Sequence, residues 1–139
     1  MYPFICFPSL VDFDEITISK FLLSQPEKYI KTFTAFEFDS NSVAEQLYNP
    51  DNYFVLIFDE MKEQLLSISF IRFHPDYKNA TSGNVTDYHY QNKGLGQLGL
   101  AYLKSYCRMN NLNSEFVAHI DPTNESSMQL AKKSGIGIL

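Results

Sequence analysis

The apolar positions of the chain fall into runs of two periods. Tyr53-Phe54-Val55-Leu56-Ile57-Phe58 is unbroken, the pattern of a strand covered on both faces. Leu65 to Phe73 predicts a second strand of similar length. With polar Asp59 to Gln64 between them, the two predict an antiparallel hairpin that His74-Pro75 ends. Pro3 to Leu10, bounded by prolines, predicts a first strand at a sheet edge. Ser114 to Ile120 alternates, with Phe116, Ala118 and Ile120 on one side and Val117 and His119 on the other, and predicts another strand. Asn84-Val85-Thr86 predicts a short strand, and the polar stretch Asp76 to Gly83 before it a mobile loop.

The other period is helical. Leu95, Leu98, Tyr102, Tyr106 and Met109 recur at helix spacing, and Asn110-Asn111 after them tolerate the left-handed turn that ends helices. Asp12 to Asp14 offers a cap for a helix carrying Ile16, Ile18, Phe21, Leu22 and Leu23. Pro26 opens a second, with Tyr29, Ile30 and Phe33 on one side. Ser40 or Asn41 caps a third, with Val43, Ala44 and Leu47, stopped by Asn49-Pro50. Asp121-Pro122-Thr123-Asn124 turns into a last helix in which Met128, Leu130 and Ala131 are apolar and Gly135 is the stop. The order predicts an α+β, or mixed α/β, domain around one sheet. No internal repeat, linker or low-complexity tract interrupts it, and 139 residues are expected to form a single domain, 1–139.

Composition narrows the function. A net charge of −5 argues against a nucleic-acid partner bound through a basic surface, and mildly favours a cationic substrate such as an amine. Cys6 and Cys107 lie far apart without metal-ligand spacing, and we expect free buried thiols in a reducing compartment. His74, His89 and His119 are scattered with no pair at i and i+4, so no metal site is expected. Asp87 and His89 are expected to serve as turn residues. The N-terminus lacks a signal-peptide pattern, and no apolar run approaches the roughly 20 residues of a membrane span. A cytoplasmic protein with no membrane association is expected.

The chemistry concentrates at Tyr90-Gln91-Asn92-Lys93-Gly94-Leu95-Gly96, between a strand and the longest helix pattern. Two glycines at a helix mouth let backbone N–H groups turn inward, and the helix adds unpaired donors and the positive end of its dipole. Such a stretch can seat a phosphate or pyrophosphate, with Lys93 adding a mobile cation at the rim. No Gly-Lys-Ser/Thr closes it, so it is not a P-loop. Gly94-x-Gly96-x-x-Gly99 does match the dinucleotide fingerprint. However, the acidic residue about 20 positions later, Glu115, opens its strand where the fingerprint needs one at the strand's end.

Two segments together resemble the GNAT superfamily of acyl-CoA-dependent N-acyltransferases. Gln91-Asn92-Lys93-Gly94-Leu95-Gly96 matches that family's Gln/Arg-x-x-Gly-x-Gly/Ala pyrophosphate loop. Asn124-x-x-Ser127-x-x-Leu130-Ala131-x-Lys133-x-Gly135 is similar to its Asn-x-x-Ala/Ser-x-x-Leu-Tyr-x-Lys-x-Gly-Phe segment. The motif-level resemblance covers Asn84 to Gly135. It implies a central, mostly antiparallel sheet flanked by helices and splayed between strands 4 and 5. Acetyl-CoA would be the acyl donor and an amine the acceptor. The backbone of Asn84, Val85 and Thr86 would pair with the pantetheine arm. Residues Asn92, Lys93, Gly94, Leu95, Gly96 and Gln97, with Gln91 before them, would wrap the pyrophosphate. Asn124 and Ser127 would approach the donor from the far side.

The resemblance also places the catalytic groups and shows two departures. Some members carry a glutamate base five residues before the asparagine; here that position is His119, and histidine accepts a proton near neutral pH. Members often protonate the departing thiolate with a tyrosine at the position that is Ala131 here. Members also continue into a further strand pair, which the resemblance leads us to expect truncated here at Gly135-Ile136. The Phe116–Ile120 strand is then expected to be an exposed edge, covered by a second copy in a homodimer. Beside the N-acetyltransferase stand two other readings: a catalytically silent acyl-CoA-binding domain and a small dinucleotide-binding protein.

Overall fold

The computed structural model describes residues 3–7, 15–74 and 79–139. Six strands form one sheet in sequence order: β1 (Phe4–Cys6), β2 (Asn52–Phe58), β3 (Leu65–Arg72), β4 (Ala80–Thr86), β5 (Phe116–Ala118) and β6 (Gly137–Ile138). The strands β1 to β4 are antiparallel neighbours, whereas β5 runs parallel to β4 and β6 parallel to β5. Helices α1 (Glu15–Leu23), α2 (Glu27–Ile30) and α3 (Ser40–Leu47) precede β2. The long α4 (Leu95–Met109) joins β4 to β5, and α5 (Glu125–Ser134) joins β5 to β6. This is the mixed α/β sheet with flanking helices expected from the apolar patterning. None of the helices described is long and apolar enough to cross a membrane.

The unbroken apolar run of β2 is explained by its position. Val55 and Ile57 point into a core with Leu100, Leu103 and Cys107 of α4. Phe54, Leu56 and Phe58 point the other way, against Ile18, Phe21 and Leu22 of α1 and Val43 of α3. A sheet sandwiched between helix layers needs apolar residues at both parities of its central strands. The two cysteines are buried and unpaired, one in each core, and burial pushes both thiols above their ordinary pKa.

Residues 8–14, which include part of the first expected strand and the Asp12–Asp14 cap, lie outside the described residues, as do 75–78. Three features differ from the sequence reading. The cap of α3 is Asp39, one residue earlier than expected: its carboxylate accepts from the Ser42 N–H (3.0 Å) and hydroxyl (2.7 Å). The β4 strand begins at Ala80, so 80–83 is strand where a loop was expected. Its polar Thr81, Ser82 and Gly83 suit that place for specific reasons. Ser82 Oγ donates to the Val117 carbonyl (3.2 Å) across to β5, and a Cβ at Gly83 would stand 2.3 Å from the Phe70 ring. Finally, the β5 edge is not bare. Gly137 and Ile138 pair with Val117 and Ala118, and Leu139 N–H donates to the Ala118 carbonyl (2.9 Å). One short strand, β6, covers the β5 edge that was expected to be exposed.

The relation between β4 and β5 positions the site. Only Ala80↔Phe116 and Thr81↔Val117 are in register, so the two strands part beyond Thr81 while β4 continues to Thr86. Ala80 N–H donates to the Glu115 carbonyl across this junction. The two-residue period of a strand then turns the backbone groups of Ser82, Asn84 and Thr86 toward the same, diverging side.

Candidate functional site

Gln91 to Gly96 forms the turn between a short 3₁₀ segment (Tyr88–Tyr90) and α4. Asn92 (φ 63°) and Gly94 (φ 80°) are both left-handed, and Gly94 caps the helix without a side chain. The first intrahelical acceptor here is the Gly94 carbonyl, which takes the N–H of Leu98 (3.0 Å). The N–H groups of Leu95, Gly96 and Gln97 are therefore left at the helix mouth, together with the positive dipole end.

The remaining glycines fit the helix to the sheet. A Cβ at Gly96 would stand 2.9 Å from Asn84 Oδ1 and 2.9 Å from Leu130 Cδ2; one at Gly99 would stand 2.3 Å from Ser69 Oγ. The fingerprint spacing thus records close approach of α4 to β3, β4 and α5. The β4–α4–β5 crossover is a parallel βαβ unit, yet Glu115 lies before β5 and His119 follows it, so the acidic group of a dinucleotide site is not at that strand's end.

Beneath the helix mouth lies a polar network. The two hydrogens of Asn84 Nδ2 are shared among three acceptors within reach, Ser67 Oγ (2.9 Å), Ser69 Oγ (2.9 Å) and the Ile68 carbonyl (3.1 Å). Thr86 Oγ1 donates to Asn84 Oδ1 (2.9 Å) and lies 2.9 Å from Ser67 Oγ. Buried hydroxyls and an amide so completely paired hold β4 rigidly in register. Nearby, Asp87 has a structural role: its carboxylate accepts from the His89 N–H (3.0 Å) and from Gln25 Nε2 (3.3 Å).

Two cavities meet over this floor. One, of about 370 Å³, is lined by Thr86, Gln91, Asn92, Gly94, Leu95, Gly96 and Gln97, with Lys133 of α5 on its far wall. The other, of about 220 Å³, occupies the splay, between Ser82, Val85 and Asn124 and the segment 29–35. Tyr29, Asn84, Ser127 and Leu130 line both. The structure therefore brings together every sequence-selected binding residue except Lys93, which is exposed and lines neither cavity. Exposed His119, just past β5, lines the smaller cavity, as does buried Ala131.

Asn124 is first a helix cap: its Oδ1 accepts from the Ser127 N–H (3.1 Å), and its Nδ2 donates to Thr32 Oγ1 (3.0 Å). That second bond ties α5 to the segment after α2 across the cavity. Asp121 beside it is held below the usual carboxylate range by the Thr123 hydroxyl and N–H.

Two residues of the site, Tyr29 and Arg72, carried no usable sequence signal, and Lys133 stood in the second motif with no role assigned to it. Tyr29 looked like one apolar position of a helix. Arg72 ends the β3 run and faces the smaller cavity. Burial pushes the Tyr29 phenol up and the Arg72 guanidinium down. The tyrosine stays protonated at neutral pH.

No family model matches the sequence, and no curated protein does. Solved structures match well in shape. An acetyltransferase of the GNAT family from Streptococcus pneumoniae superposes with a TM-score of 0.64 at 15% identity, covering 96% of this chain and 84% of the other. A Salmonella typhimurium protein solved with its cofactor acetyl-CoA gives 0.68 at 14%, over 97% and 79%. Spermidine N-acetyltransferase from Vibrio cholerae, in complex with CoA and spermine, gives 0.69 at 14%, over 96% and 79%. The fold is that of a mixed sheet opened between two parallel strands. More particularly, it is the fold shared by GNAT acetyltransferases.

Proposed function

We propose that this chain is an acetyl-CoA-dependent N-acetyltransferase that passes the acetyl group directly to an amine. One observation carries the reading: unpaired helix N–H groups at the Gly94 turn open into a cavity that continues along the unpaired side of β4. A long ligand with a phosphorylated end and amide groups in its arm suits that sequence of donors and acceptors. The cradle also fits on steric grounds, because any side chain at Gly96 would displace Asn84 or Leu130.

When bound, the donor supplies an activated acetyl thioester; the protein supplies placement and proton handling. Leu95, Gly96 and Gln97 N–H groups hold the pyrophosphate, with Lys133 close by and Gln91 and Asn92 at the rim. The outward backbone groups of Asn84 and Thr86, with Val85 between them, hold the arm and orient the carbonyl. The amine attacks that carbonyl carbon, a C–N bond replaces the C–S bond, and the amine loses one proton while the sulfur gains one. His119 is the candidate acceptor of the amine's proton. Both cysteines are buried in the cores, away from these cavities, which favours transfer without an enzyme-bound acyl group.

Ala131 favours a second reading. It is 2% exposed at the place where the resemblance puts a tyrosine, and it offers no acid for the leaving thiolate. A catalytically silent acyl-CoA-binding domain would look the same.

Calorimetric titration with acetyl-CoA and CoA, followed by thiol release over a panel of amines, separates these. Binding that is lost in Gly94→Glu, with CoA released only when an amine is present, is the expected result. Binding without release from any amine would support the silent domain. Absence of binding would overturn both.

A further inference from the structure

The smaller cavity contains a cation without a counter-ion. Arg72 closes β3 with its side chain on the same face as Ile68 and Phe70, and the guanidinium stands 5.9 Å from the centre of the Phe70 ring. One terminal nitrogen donates to the Ala35 carbonyl (3.1 Å). Its Nε is buried with no partner at all. Among the described residues no carboxylate pairs with it, although the chain carries sixteen Asp and Glu. A guanidinium has five donors in a planar fork, and one bond to a neutral carbonyl leaves most of that capacity unused.

Because Nε itself is buried, a ligand in the cavity reaches the guanidinium through its terminal nitrogens. Arg72 lines the cavity with Phe33, Thr34 and Ala35 on its own side of β4, while His119 and Asp121 line it from beyond β5. A cation therefore stands at one wall, and a carboxylate and an imidazole at the other. At about 220 Å³ the space falls below the roughly 300–1,000 Å³ of sites for drug-sized ligands, so a small occupant fits.

We infer that the acceptor is a small amine carrying its own anionic group, of which a carboxylate is the best match, anchored by Arg72 with its amine turned toward His119. This rests on the acetyltransferase reading, and it names a substrate class for the same site. A carboxylate completes the guanidinium fork in a bidentate pair, the strongest ordinary partner for that group. A polyamine offers nothing to Arg72 and places a second cation beside it. Arg72 acts here as a specificity-determining residue, with no part in the bond changes.

The test compares charge at constant shape. Binding of amino acids, their α-carboxamides, an aminoalkyl phosphate and spermidine is measured by saturation-transfer NMR and calorimetry, with and without CoA, on the wild-type chain and on Arg72→Gln. The inference expects acids to bind at least about tenfold tighter than their amides, and that preference to collapse in the variant. A phosphate that outbinds the carboxylates would identify the anion as phosphate within the same class. Equal binding of acids and amides, a preference for spermidine, binding by none of the panel, or a preference that survives Arg72→Gln would each overturn it. The wild-type comparison stands alone if the variant does not fold. Acetyl-CoA affinity is measured on the same samples. Its absence beside an intact acid preference would sink the acetyltransferase reading while leaving the anion site.

Discussion

The hydroxyl of Tyr29 lies against both backbone polar groups of Thr86: it donates to the carbonyl (2.9 Å) and accepts from the N–H (3.2 Å). These groups face the diverging side of β4, where an amide of the donor's arm would have to pair. Tyr29 thus satisfies a stretch of strand backbone that has no neighbouring strand, and a side chain can leave where a strand cannot.

The first prediction follows from that competition. Tyr29→Phe should lower the stability of the free protein by about 1–3 kcal/mol, because a buried N–H and carbonyl lose their partner. Acetyl-CoA should nonetheless bind a few-fold more tightly, since nothing must be displaced. Denaturant unfolding and calorimetry on one preparation read both effects. Weaker binding in the variant would mean that the hydroxyl touches the donor directly.

Gly94 and Gly99 should fail for different reasons. A Cβ at Gly94 meets nothing within 4 Å, so Gly94→Ala suffers mainly from φ 80°. It should lose about 1–2 kcal/mol of stability, the ordinary penalty of the left-handed conformation. Gly99→Ala drives a methyl to within 2.3 Å of Ser69 Oγ on a fully buried strand residue. Overpacking there should cost about 1–3 kcal/mol, and Ser69→Ala should relieve part of it. Independent, additive losses in the double variant would refute the contact as the cause.

His119→Ala should reduce turnover by about 10²-fold, the low end for a general base, with acetyl-CoA affinity unchanged. Steady-state kinetics with the best amine of the panel decide it. An unaltered rate would remove His119 from the chemistry.

Asn124→Ala should cost about 1 kcal/mol through loss of the α5 cap, and Asn124→Asp distinctly less, because aspartate still accepts from the Ser127 N–H. Only the amide donates to Thr32, so both variants should loosen the 29–35 segment in hydrogen exchange. Protection there equal to wild type would show that this bond holds nothing in place.

Asp39 and Asp121 are both held below their ordinary pKa, each first by a neighbouring hydroxyl, that of Ser42 or Thr123. A carboxyl lowered in the folded state contributes stability above its unfolded pKa and loses it as the pH falls through the folded one. Stability should therefore decline below about pH 4, and Asp39→Asn should flatten that decline. An unchanged acid limb would rule Asp39 out as a contributor.

What the sequence determined is the part governed by local period and local chemistry. The unbroken β2 run announced a two-faced strand; the Leu95–Met109 spacing announced the long helix; Gly94 and Gly96 announced a donor-rich helix mouth. Each is fixed within a few residues by pleat, helical pitch or allowed φ. Only the tertiary structure decided the rest. Ala80 to Gly83 became strand because a hydroxyl and a missing Cβ suit its neighbours on β5 and β3, which no polar tetrapeptide reveals. The Tyr29 hydroxyl came to Thr86 from 57 positions away, and Arg72 faced a cavity closed by Ala35 and Asp121. Such pairings depend on which elements the fold sets side by side, and sequence period encodes a residue's facing without naming what it faces.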